Sequence, residues 1–180
     1  MLRALIVGRF QPLHMGHVKA IEYTIRKIDE LVIVIGSAQA SHSLDNPFTA
    51  GERIMMLRVA LNEMRINPLK YYLIPVPDAL MHSVWVSEII AYSPPFKVVY
   101  SNEPLTSRLF KEFGIKVQKI PFFQREVYSS TEVRRKMIAG ESWKALLPQS
   151  VVKIIEEING VERLKELTLS DSITKKSSNL

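Results

Sequence analysis

Apolar positions along this chain come in two alternating rhythms. Residues 2–7, 31–37, 71–76, 97–101 and 115–121 are short runs rich in Val, Ile, Leu and Tyr. Bounded by Gly, Pro, Asn or Ser, such runs read as buried strands. Between the first two, Val18, Ile21, Ile25 and Ile28 recur at helical spacing, and Ile54, Leu57, Leu61 and Met64 do the same after the second. Strands alternating with helices predict an α/β fold, a doubly wound parallel sheet of about five strands. The last run is shorter and more polar, which places it near a sheet edge. From about residue 141, Trp143, Leu146, Val151, Ile154, Ile155 and Ile158 suggest small C-terminal helices. One domain over residues 1–167 accounts for the pattern. Residues 168–180, mostly Ser, Thr and Lys, are expected to form a disordered tail.

The first strand-to-helix junction carries an unusual set of side chains, Gly8-Arg9-Phe10-Gln11-Pro12-Leu13-His14-Met15-Gly16-His17. In an open parallel sheet, ligands bind at the carboxyl ends of strands, where this segment lies. Gly8 and Gly16 permit a sharp bend and close approach of a ligand, and Pro12 stiffens the loop. His14 and His17, three apart at a helix start, share one face. The free N–H groups there, with the positive end of the helix dipole, favour an anion. Arg9 adds a cation whose planar fork suits phosphate oxygens. Together these residues describe a phosphate site. It is not a P-loop, because neither G-x-x-x-x-G-K-[ST] nor G-x-G-x-x-G is present. A His pair without Cys or a neighbouring carboxylate is a weak zinc pattern, so no protein metal ligand is assigned.

Two later helix starts carry capping-box spacing, Thr49 with Glu52 and Ser129 with Glu132. At the second, Ser129, Ser130 and Thr131 offer hydroxyl and amide donors, and Arg134 follows one turn in. Arg53 and Arg58 read by default as solvated.

Composition narrows the setting. The 180 residues are 47% hydrophobic and 23% charged, an ordinary globular balance. No apolar run approaches the ~20 residues of a membrane span, and the N-terminus lacks a signal-peptide pattern. With no cysteine, disulfides and thiolate metal sites are excluded, and a cytoplasmic location is expected. The net charge of +6 comes from scattered Lys and Arg, which favours a small anionic substrate over nucleic acid.

Gly8-x-Phe10-x-Pro12-x-His14-x-Gly16-His17, followed late in the domain by Ser129-Ser130-Thr131-Glu132-Val133-Arg134, resembles the two signatures of the nucleotidylyltransferase superfamily. The segments 8–12, 46–53 and 159–163 are similar to its archaeal-type nicotinamide-nucleotide adenylyltransferase branch. The resemblance covers nearly everything except the tail. It implies a Rossmann-like fold and the reaction of ATP with nicotinamide mononucleotide (NMN) to give NAD and pyrophosphate. It further implies Mg²⁺, bound mainly through the ATP phosphates, and a homo-oligomer, commonly a hexamer. By the same resemblance His14, His17 and Arg134 are catalytic, and Gly8, Arg9, Phe10, Gly16, Ser129, Ser130, Thr131 and Arg134 bind ATP. Asp78, His82, Trp85 and Phe123 bind NMN, with Trp85 stacked on the nicotinamide ring. Read from the residues alone, Trp85 is a core side chain. Two positions depart from the branch: Asp45 stands where a basic residue facing the triphosphate is expected, and His82 where an Asn is expected. Two other readings share the first motif. One is a sister transferase using phosphopantetheine or an alcohol phosphate, and the other is a nucleotide-binding module without turnover.

Overall fold

The computed structural model describes residues 1–121 and 128–177, with side chains through residue 170. Five strands form one all-parallel sheet: β1 (Arg3–Gly8), β2 (Glu30–Ile35), β3 (Tyr71–Pro75), β4 (Val98–Tyr100) and β5 (Lys116–Gln118). Their order across the sheet is β3-β2-β1-β4-β5. The chain therefore moves outward on one side of β1 and returns to continue on the other. The β1/β4 boundary is a topological switch point, where the loops leaving adjacent strands diverge and open a crevice.

Side-chain alternation along the strands sorts the core into two layers. Ala4, Ile6, Leu31, Ile33, Ile35, Val98 and Tyr100 face one side. There they pack on Ile21 of α1 (Met15–Ile25), on Met56, Leu57 and Leu61 of α2 (Ala50–Glu63), and on later helices. Leu5, Val32, Val34 and Val99 face the other side. They meet Val86 and Ile89 of α3 (His82–Tyr92) and Leu109 and Phe110 of α4 (Pro104–Glu112). Both layers being apolar explains why the central strands read as unbroken hydrophobic runs. β5, the most polar strand, stands at an edge as its sequence suggests.

α5 (Ser130–Ala139), α6 (Gln149–Glu157) and α7 (Gly160–Ser177) complete the chain, and their apolar residues Val133, Met137, Val151, Val152, Ile155 and Leu164 join the first layer. α7 runs beyond residue 167, where the periodicity ended it. Thr168 and Ser170 hydroxyls donate to the Leu164 and Glu166 carbonyls, so their polar groups are satisfied within the helix. The tail expected from residue 168 is helical instead over residues 168–177, and residues 178–180 lie outside the described residues.

Arg53 corrects the solvated reading. Its side chain is fully buried, with Nε donating to Thr49 O, Nη1 to Arg9 O (3.0 Å) and Gly36 O (2.8 Å), and Nη2 to Ser37 O (3.0 Å). One guanidinium thus ties the exits of β1 and β2 to the start of α2. Carbonyl dipoles from separate loops solvate the buried charge in place of water.

Candidate active site

At the switch point a cleft of about 430 Å³ is bordered by Arg9–Gln11, His14, Gly16 and His17, by Asn102 and Glu103 after β4, by Ile120 and Pro121 after β5, and by Tyr128–Thr131 with Arg134. Both sequence signatures therefore meet in one place. A hydrogen bond from Ser130 Oγ to Pro12 O (3.1 Å) joins them directly.

α1 begins in a capping box made of two imidazoles. His17 N donates to His14 Nδ1 (3.4 Å), and His14 N donates to His17 Nδ1 (3.3 Å). The rings stack with centroids 3.7 Å apart. Because each Nδ1 accepts a backbone proton, each ring carries its own proton on Nε2. Burial lowers His14 from 6.5 to about 4, and burial with the adjacent His14 ring holds His17 well below its ordinary value. Both are neutral near pH 7, and each offers one Nε2–H donor without a positive charge.

The glycines act differently from the bend expected of them. Neither Gly8 nor Gly16 has positive φ; the left-handed residue in the turn is Phe10, at φ 52°. Its ring packs on His17, centroids 4.8 Å apart. A Cβ on Gly8 would meet that ring at 2.8 Å, and one on Gly16 would meet Tyr128 Cβ at 2.9 Å. These glycines admit the protein's own side chains against the turn. Conformational freedom is needed at neither.

Arg134 is buried at the cleft wall, with Nη1 donating to Gln11 O (2.9 Å) and Nη2 to Asp45 Oδ1 (3.0 Å). Arg9 is exposed, and its charge acts on both Arg53 and Arg134. A concentrated positive field with partly unused guanidinium donors suits a polyphosphate. At the start of α5, Ser129 Oγ accepts from Glu132 N (3.2 Å) as the cap, Ser130 Oγ is spent on Pro12, and the exposed Thr131 faces the cleft. The second capping box is only half made, because the Glu132 carboxylate pairs with Arg135 instead.

Asp78, His82 and Trp85 follow β3 in the chain and do not border this cleft. Asp78 accepts from Ser37 Oγ and Gln39 Nε2, both at 3.0 Å, and Gln39 Oε1 accepts from Asp78 N. His82 is exposed at the first turn of α3. Trp85 is half-buried and edge-on to Phe110, centroids 5.9 Å apart, against the second core layer. Phe123 lies outside the described residues.

Three supporting contacts left little trace in the sequence. Gln11, almost fully buried, pairs its amide with both backbone groups of Phe48, each bond 2.9 Å. Asn102 does the same with Ile120 across the other wall. Arg163 of α7 clasps both oxygens of Glu52 at 2.8 Å and donates to Pro47 O. No set of three His, Asp or Glu side chains that would hold a metal ion occurs among the described residues.

Comparison with known proteins places the chain. The cytidylyltransferase-like family matches residues 5–136. A nicotinamide-nucleotide adenylyltransferase of Methanolobus tindarius is 53% identical over 171 residues, covering 95% of this chain and 97% of that protein. The corresponding protein of Pyrococcus horikoshii is 52% identical over 167 residues, covering 93% of this chain and 89% of that one. In structure, a bifunctional NMN adenylyltransferase/ADP ribose pyrophosphatase of Francisella tularensis, crystallised with AMP and a manganese ion, superposes with a TM-score of 0.79 at 18% identity. It covers 99% of this chain, which spans only 55% of that larger protein, and the likeness is one of fold. The chain belongs to the nicotinamide-nucleotide adenylyltransferases of the cytidylyltransferase-like family.

Proposed function

We propose that the cleft binds ATP with its Mg²⁺ and transfers the adenylyl group to NMN, releasing NAD and pyrophosphate. An oxygen of the NMN 5′-phosphate attacks the α-phosphorus in line. The bond to the bridging oxygen of the β-phosphate breaks, and pyrophosphate carries the electron pair away. Such a transfer asks the protein for positioning and charge stabilisation, with no covalent intermediate. His17 donates Nε2–H nearest the α-phosphate, and His14 donates beside it. Arg9, Arg134 and Thr131 take the β- and γ-phosphates. Mg²⁺ would be bound mainly through the ATP phosphates, where it would supply neutralisation of their charge.

The observation that carries this reading is the pair of neutral imidazoles at the α1 N-terminus, with two arginines in the same cleft. Neutral donors stabilise charge as it develops and do not hold the product as a full cation would. Asp78 orients NMN in this reading, which its hydrogen bonds from Ser37 and Gln39 beyond the β2 exit support. His82 and the outer part of Trp85 border the nicotinamide end, and Phe123 belongs to the same NMN assignment. A cytoplasmic location and a homo-oligomer, with a hexamer as the form to test by sedimentation, complete the proposal. The exposed apolar side chains Leu80, Met81, Val84 and Ile90 at α3 support self-association.

An acceptor panel tests the function. With ATP and Mg²⁺ present, NMN should give NAD, measured by enzymatic conversion to NADH, with one pyrophosphate per NAD. Phosphopantetheine and alcohol phosphates should give no adenylylated product. Turnover with one of those acceptors and none with NMN would overturn the assignment.

A further inference from the structure

The only carboxylate that touches the buried Arg134 among the described residues is Asp45, itself largely exposed. Its position is built. Ser43 and Asn46 exchange backbone hydrogen bonds, closing a small turn with Asp45 inside it, and Asn46 N also donates to Ser43 Oγ. Immediately after the turn, Phe48 is pinned by Gln11, and Pro47 O by Arg163. The turn therefore holds a negative charge at 3.0 Å from the guanidinium that the phosphates need.

We propose that Asp45 is a resident counter-ion that competes with substrate and product phosphates for Arg134, and so sets their affinity. This rests on the adenylyltransferase reading of the cleft. A phosphate reaching Arg134 must displace the carboxylate or accept its repulsion. Both weaken ATP binding, and both hasten departure of pyrophosphate. The turn's exposure allows the displacement: Asp45 can swing into water while Phe48 stays anchored.

The test is calorimetric titration of the full chain with sodium pyrophosphate and Mg²⁺, alongside steady-state kinetics. Asp45→Asn keeps shape and an acceptor oxygen but removes the charge. Pyrophosphate should then bind roughly twofold to tenfold more tightly, the range that a partly exposed ion pair converts to. KM for ATP should fall by a similar factor, with KM for NMN unchanged. The gain should shrink as salt rises. Asp45→Glu should stay near wild type, and Asp45→Asn should confer no gain when combined with Arg134→Ala. A merely structural role would leave these affinities where they are. Unchanged or weaker pyrophosphate binding in Asp45→Asn, with an active wild type, overturns this inference alone. A wild type that neither binds pyrophosphate nor makes NAD overturns the reading of the cleft as well.

Discussion

His14 and His17 cap the same helix through each other: each imidazole accepts the other's backbone N–H, and the rings stack at 3.7 Å. This one relationship fixes the tautomer, the charge and the orientation of the two donors offered to an anion. Protonating either Nδ1 would break a cap bond and place a cation against its neighbour.

The neutral state has a pH signature. His14 in the folded chain lies at about 4, below its ordinary 6.5. The unfolded chain therefore takes up the proton first. The stability that this group contributes is complete above pH 6.5 and is lost as pH falls from there towards 4. Proton NMR of the ligand-free protein should keep both ring signals at neutral-form shifts from pH 7.5 down to about 5.5, well below the ordinary histidine value. A midpoint near 6.5 for either ring would contradict the double cap.

Arg53→Met should destabilise the fold by about 2–4 kcal/mol in urea unfolding, since the Arg9 and Gly36 carbonyls lose the Nη1 donor they share, while Thr49 O and Ser37 O keep backbone donors in Arg53 N and Ala40 N. A loss within the range of a surface substitution would show that water replaces the guanidinium.

Gly16→Ala introduces a methyl group 2.9 Å from Tyr128 Cβ. The Tyr128 segment leads into α5, so relief of the clash must move Ser130 or Arg134. About 1–3 kcal/mol of stability should be lost, with kcat/KM reduced at least tenfold as the two halves of the cleft separate. Normal kinetics in a destabilised variant would show that the clash relaxes elsewhere.

Arg163 and Glu52 should be coupled. In a double-mutant cycle of Arg163→Met and Glu52→Gln, thermal unfolding should return an interaction energy of about 0.5–3 kcal/mol. Glu52 is held below its ordinary value by Arg163 and by Thr49 against the opposing effect of burial. The coupling is therefore present above that value and fades as pH falls through the folded one. Strict additivity at pH 7 would remove α7 from the support of the 47–49 segment.

What the sequence revealed follows from the range of each interaction. Strand and helix periodicity and the Thr49–Glu52 box are local, and their physics is written within a few residues. That His14 and His17 share one face of a helix start was legible for the same reason. Their mutual capping was not, because the spacing alone does not say where each Nδ1 points. Arg53 was missed because a lone arginine reads as solvated, and its carbonyl partners come from the two loops that follow β1 and β2. Gln11 and Arg163 are likewise legible only once residues more than 30 apart are side by side. Ser130 shows the converse, a residue read as a phosphate donor whose hydroxyl joins the two signatures.

The most direct test of the proposed chemistry is the rate of NAD formation from ATP, Mg²⁺ and NMN by wild type, His17→Ala and Arg134→Ala. The wild type should form NAD and pyrophosphate in equal amounts, and His17→Ala should lower kcat by ~10²-fold or more, the loss expected for one donor to developing charge. Arg134→Ala should also lose turnover. NAD formation undiminished in His17→Ala, or absent in a wild type that still binds ATP, would contradict the mechanism proposed for this cleft.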